Sequence, residues 1–310
     1  MKNTCIVLTG PTAIGKTAVA IQLASHFTTQ IISADSRQCF KELNIGVAKP
    51  SFEELQSVQH HFINSHSIHD TVNAAVFEKY AMDKVKHIFA GSNVAVMVGG
   101  TGLYIKAFCS GLDEVPVIPA GIRQKITSDF TDEGLAWLQQ EVKKHDPIYY
   151  GEGEIQNPQR LMRALEVKLS TGRSIVEFQT QTKTLRDFNI IKIGFELPRA
   201  ELYQRINNRV EAMMEQGLTA EAKGLEQYQH LNALQTVGYK ELFGHFNAIT
   251  SLPVAVEAIK QNTRQYAKRQ LTWFKKDKEI KWCQPGLKEV LSFIDYLGDG
   301  KFFTGMIERK

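Results

Sequence analysis

An α/β fold, a parallel sheet carrying a phosphate-binding loop and interrupted by a helical insertion, is what three features of the sequence predict. Gly10-Pro-Thr-Ala-Ile-Gly15-Lys16-Thr17 fits G-x-x-x-x-G-K-[ST] at every fixed position, between an apolar run and a helical pattern. Short β-like runs alternate with helical patterns through the N-terminal third. The strand pattern then stops after Leu112 and resumes only at Ile190. Together these describe a P-loop NTPase-like core, residues 1–112 and 189–310, with an inserted helical domain over 113–188.

The first strand is read at Cys5–Leu8 and its following helix from the apolar spacing of Ala18, Val19, Ile21, Leu23, Ala24 and Phe27. Between them, Gly10, Pro11, Thr12, Ala13, Ile14, Gly15, Lys16 and Thr17 curl backbone N–H groups into one concavity. The helix dipole and the Lys16 charge add to it, making a nest for a diphosphate or triphosphate. Further strands are expected at Gln30–Ser33, Asn93–Val98 and Ile190–Phe195, with a helix over Ala74–Phe89. Val94–Val98 is apolar on both sides of the pleat, as a central strand requires. Glu114-Val-Pro-Val-Ile-Pro119 reads as a linker. Ala120 to about Phe188 is helical in pattern, and Pro198 opens a long helix that Gly217 ends.

The chain has 310 residues, 43% hydrophobic and 23% charged, with net charge +4. No apolar run approaches the roughly 18 residues of a membrane span. No signal peptide is read at the N-terminus, and the four cysteines are too scattered for a zinc ribbon or disulfide framework. A reduced, monomeric, cytoplasmic protein is expected.

Asp35 follows the second strand, where parallel sheets place ligands. It is a candidate general base or magnesium partner, or else a turn cap. The strand that in a nucleotide hydrolase would end in a magnesium-binding acid ends here in Gly99-Gly100-Thr101-Gly102. That counts against an ATPase or GTPase motor. The glycines admit close approach of a backbone or ligand, or form a plain turn. Arg205 and Arg209 share a helix face, either solvated or reaching a phosphate. Arg160, Arg163 and Arg173 pose the same choice. Ala258–Trp282 holds eight Lys/Arg against two acids, a local +6. Lys260, Arg264 and Lys268 fall on one stripe, with Tyr266, Trp273, Phe274 and Trp282 interleaved. That pattern grips RNA, or is a solvated face over core aromatics. His60, His61, His66 and His69 read as exposed loop residues, and Trp137 and Met213-Met214 as core.

Seven segments together resemble the tRNA dimethylallyltransferases. They are Gly10–Thr17, Asp35–Gln38, Ile45–Pro50, Gly99–Tyr104, Asn157–Glu166, Val237–Glu241 and Lys268–Phe274, in the family's order. The resemblance implies transfer of a dimethylallyl group from dimethylallyl diphosphate to N6 of adenosine 37 in the tRNA anticodon loop, with Mg²⁺ as the metal, near Thr17. It implies Asp35 as general base, and Thr101 and Arg209 at the diphosphate and reacting centre. It implies tRNA contacts from Asp35, Ser36, Arg37, Gln38, Thr101, Arg123, Gln159, Arg160, Leu161, Met162 and Arg163, and from Gln235, Thr236, Val237, Gly238, Tyr239 and Lys240. Lys268 and Arg269 join them from the basic stretch. Ile14, Phe40 and Val47 depart from the pattern, each losing a hydroxyl and putting fine substrate contacts in question. Two other readings remain open: an ATP-dependent small-molecule kinase, and a non-catalytic RNA-binding switch that senses nucleotide.

Overall fold

The computed structural model describes residues 2–179 and 183–297; the end of the expected core, residues 298–310, lies outside them. The chain divides into two compact units, Met1–Ser110 with Leu185–Lys310, and Gly111–Thr184.

The larger unit is built on a six-stranded parallel sheet ordered β3-β2-β4-β1-β5-β6. Its strands are β1 (Thr4–Thr9), β2 (Ile31–Ser33), β3 (His60–His61), β4 (Val94–Gly99), β5 (Asn189–Phe195) and β6 (Lys281–Cys283). The helices around it are α1 (Lys16–His26), α2 (Phe52–Ser57), α3 (Ala74–Phe89) and α4 (Gly102–Ser110) before the insertion. After it come α8 (Arg199–Glu215), α9 (Leu218–Gly224), α10 (Tyr239–Phe246), α11 (Leu252–Phe274) and α12 (Leu287–Leu297). β1 and β4 are buried at every position, because a parallel sheet covered on both faces leaves neither side of the pleat wet. One face packs Ile6, Leu8, Val96 and Phe195 against Leu23 of α1, Ile206 of α8 and Ala267 of α11. In α3 and α4, Phe77 stacks on Tyr104 with ring centroids 4.5 Å apart.

β3 and β6 are additions to the sequence expectation. Each is two or three residues at a sheet edge, too short to show a period. β3 moves His60 out of the exposed-loop class into the core, while His69 is exposed. β6 takes Trp282 out of the basic helical stretch, which is helical only to Phe274. Met213, Met214 and Trp137 are half-buried rather than core. Gly217, with φ 99°, stands just past the end of α8, as expected of a left-handed stop.

The second unit contains α5 (Ala120–His145), α6 (Pro147–Glu152) and α7 (Pro158–Thr171). Gly134, at φ 78° and ψ −167°, breaks α5 into two helical pieces. Asn157 caps α7 by accepting from the Gln159 and Arg160 N–H groups, with Pro158 at the first turn. Ile126, Leu138, Val142, Leu161 and Leu165 form its core. Leu161 and Met162 are therefore packing residues, at 0% and 7% exposure. On the inward face of an amphipathic helix, their side chains pack the core of this unit rather than facing solvent. Glu166, also buried, accepts from Nε and Nη2 of Arg123, both at 2.9 Å, and a third bond from Arg163 at 3.3 Å.

Candidate active site

The loop after β1 is shaped by left-handed backbone at Gly15 and Ala13, φ 98° and 63°. α1 begins with no side-chain cap and no acid in its first turn, so its leading N–H groups are left for an anion. Thr12, Ala13, Lys16 and Thr17 line a cavity of about 560 Å³ with Asp35, Gln38, Arg205, Arg209 and Gln270. Lys16 Nζ donates to the Pro11 carbonyl at 2.7 Å. Though the residue keeps some surface, its ammonium is enclosed. Burial first, then the Arg209 cation, pulls its pKa down to about 7, against the opposing pull of Asp35. Ile14, which stands where the family has a hydroxyl, is fully buried in the sheet's hydrophobic core and also lines the cavity. Phe40 is buried away from the cavity, and Val47 lines it.

Strand β4 lies between β1 and β2, so an acid on β2 must reach across it. Gly99 allows this. A Cβ there would run into the Ala34 carbonyl, whose oxygen instead accepts from Thr101 N–H at 3.2 Å. The strand that lacks the hydrolase's acid is the strand that lets Asp35 close in. Asp35 Oδ1 accepts from the N–H groups of Arg37 and Gln38 at 2.9 and 3.2 Å. The capping role is real, and it uses one carboxylate oxygen. Thr101 Oγ accepts from Ser36 N–H at 3.0 Å and does not line either cavity described here; it fixes the turn that carries the acid.

Gln270, from the buried side of α11, straps the loops together. It accepts from Thr12 N–H at 2.8 Å and donates to the Gly100 carbonyl at 2.9 Å. The close approach allowed by the second glycine is thus taken by a glutamine side chain of the protein itself. Arg209 donates to Thr12 Oγ at 3.2 Å. Burial lowers its pKa and Asp35 opposes that shift. Arg205 is exposed and paired with Glu201 at 2.8 Å. His60 Nδ1 bonds the Val58 carbonyl at 2.8 Å, and its Nε2 has no partner among the described residues; burial lowers its pKa.

A second cavity, of about 540 Å³, shares Thr12, Asp35, Val47, Ala48, Arg209 and Tyr266 with the first. These six shared residues mark the neck where the two cavities adjoin, and Asp35 is one of them. Ser36, Arg37, Gln235, Thr236, Val237, Gly238, Lys240 and Arg269 surround the second cavity. Arg37 is anchored on Asn232. Tyr239 is fully buried and its hydroxyl donates to Glu221, so its side chain does not line the second cavity that its neighbours Gly238 and Lys240 line. Of the basic stripe, Lys260 is paired with Glu211 and Glu257, and Arg264 bonds Asn207. Lys268 and Arg269 are exposed.

A family model described as IPP transferase matches residues 38–277. The chain belongs to the IPP transferase family. It is 48% identical over 297 residues to the tRNA dimethylallyltransferase of Christiangramia forsetii, covering 95% of this chain and 98% of that one. It is also similar to two solved tRNA isopentenylpyrophosphate transferases. The one from Staphylococcus epidermidis has a TM-score of 0.68 at 32% identity, covering 96% and 99% of the two chains. The one from Bacillus halodurans has a TM-score of 0.70 at 30% identity, covering 96% and 97%. These relatives support the transferase reading and not the kinase alternative. The residues that sequence reasoning passed over in this family member are Gln270, visible only as part of a motif, and Glu221, for which no local signal exists. No helix among the described residues is long and apolar enough to cross a membrane.

Proposed function

We propose that this chain transfers the dimethylallyl group of dimethylallyl diphosphate to N6 of adenosine 37 in the anticodon loop of tRNA, releasing diphosphate. The observation that carries the reading is Asp35 at the neck between a phosphate-loop cavity and a second cavity. A nucleotide hydrolase, whose acceptor is water, needs only the first. The donor's diphosphate sits on the amides of the loop and α1, with Lys16 and Arg209 beside it. The target adenine leaves the anticodon stack and enters from the second cavity. The bond between the prenyl carbon and the bridging oxygen breaks as the N6–carbon bond forms. Asp35 Oδ2 takes the N6 proton, and diphosphate departs carrying the electron pair. Lys16 and Arg209 neutralise its growing charge.

Among the described residues no group of three or more His, Cys, Asp or Glu forms a metal cage. Mg²⁺ fits all the same, since it is commonly held by few protein groups plus waters and phosphate oxygens. Thr17, in the cavity wall, would hold it. When bound, the ion supplies charge neutralisation on the diphosphate. Lys268 and Arg269 track the RNA backbone, as do Gln159, Arg160, Arg163 and Arg123 of the inserted unit. The enzyme works as a monomer in the cytoplasm, where its free thiols stay reduced.

The test is incubation of unmodified tRNA with labelled dimethylallyl diphosphate or with labelled ATP. Label on adenosine 37 from the first supports the reading. Label moving from ATP to a small acceptor, or binding of both without transfer, overturns it.

A further inference from the structure

The neck between the two cavities is walled on one side by Val47 and Ala48. They sit on a turn with no helix or strand of its own, and what holds that turn lies outside both cavities. The Glu221 carboxylate, on α9, accepts from three successive backbone N–H groups. Asn44 and Ile45 donate to Oε2 at 3.1 and 2.9 Å, and Gly46 donates to Oε1 at 2.9 Å. Tyr239 donates its hydroxyl to the same Oε1 at 2.6 Å. The Tyr239 ring lies so close to Gly46 that a Cβ there would meet its Cζ at 2.6 Å. On the inner side, Gln38 Nε2 donates to the Val47 and Ala48 carbonyls at 3.3 and 2.9 Å. Beyond them Lys49 donates to the Phe40 carbonyl at 2.6 Å.

Neither Glu221 nor Tyr239 lines either cavity. Four donors converge on one carboxylate, and the three from the turn are satisfied by it only while the turn stands where it does. A charged acceptor of several N–H groups is a strong and directional anchor. Resting on the proposed transferase activity, we infer that Glu221, backed by Tyr239, is a positioning residue that holds the Val47–Ala48 wall of the neck in place through segment 44–48, and that this wall limits the length of prenyl chain admitted beside Asp35. Glu221→Gln keeps the shape but turns an N–H₂ group toward donors, so the turn loses its seat and the neck loosens. Tyr239→Phe keeps the ring against Gly46 and removes one bond.

The experiment compares dimethylallyl diphosphate with geranyl diphosphate, one isoprene unit longer, on full-length tRNA and the intact chain. The readouts are the ratio of kcat/KM for the two donors and the ratio of their Kd values by calorimetry. A fall in the folded or active fraction lowers kcat/KM for both donors alike and leaves each Kd unchanged, so neither ratio moves. E221Q is expected to shift both ratios toward the longer donor by about tenfold, and Y239F by less. Ratios within about twofold of the parent's in both variants overturn the inference. Should E221Q not fold, Y239F decides by the same criterion. A parent enzyme that transfers no prenyl group overturns the activity reading, while the Kd ratios still report on the neck.

Discussion

The lowered pKa of Lys16 makes a quantitative prediction about donor binding. Burial and Arg209 leave the free enzyme's ammonium with a pKa of about 7. At pH 8 it is then about nine-tenths neutral. A diphosphate placed against it favours the charged form and lifts the pKa back toward the ordinary lysine range. Binding at pH 8 should therefore take up about 0.9 proton per site. At that pH the donor's own phosphates are already ionised and contribute little. Between pH 8 and 9 the Kd should rise about tenfold, or about 1.4 kcal/mol. Unliganded stability should move the other way. The folded pKa lies below the unfolded value near 10.5, so the unfolded chain binds more protons between about pH 7 and 10.5, and stability rises with pH across that window. Calorimetry in two buffers of different ionisation enthalpy measures the uptake, with Lys16→Met as the control that should abolish it. Uptake below about 0.2 proton in the parent at pH 8 means that Lys16 is already charged before the donor arrives, and the argument from enclosure is wrong.

Asp35→Asn keeps both N–H bonds to Oδ1 but cannot accept the proton. Single-turnover transfer should fall by about 10²–10⁴-fold with donor Kd within a few-fold of the parent; a rate near parental would remove the acid from its role. Gln270→Ala strands the Gly100 carbonyl in the interior and leaves Thr12 N–H to partial hydration. Urea unfolding should show a loss of about 2–4 kcal/mol with unchanged m-value, and donor affinity should weaken as well. A loss under about 0.5 kcal/mol would show that water replaces the strap. Neutralising Lys268 and Arg269 together should lower the slope of log K against log salt for tRNA by about 1–2; identical slopes would make them a solvated face.

The interior of the sheet could be read from the chain because β1 and β4 are runs of Val, Ile, Leu and Ala buried on both sides. The edge strands could not. His60–His61 and Lys281–Cys283 carry no apolar run, and backbone pairing with β2 and β5 decides them. The phosphate loop and Asp35 were legible because their chemistry is local. Gln270 and Glu221 were not, since their partners lie 170 to 258 and 175 to 177 positions away. Arginine spacing on α8 by itself favoured a solvated Arg209 over one at a phosphate, and only the fold shows it bonded to Thr12. Likewise no periodicity distinguishes Lys260, spent on two glutamates, from Lys268, which is exposed.

Helix α11 bears Lys268 and Arg269 on its outer side and, one position on, Gln270 on its inner side. Inserting a single residue upstream in that helix would swing everything after it by about 100°. The glutamine would swing out toward solvent and a cation would turn toward the sheet in the same stroke. Anyone redesigning how this surface meets RNA can exchange the outward side chains freely but cannot change the count of residues before them.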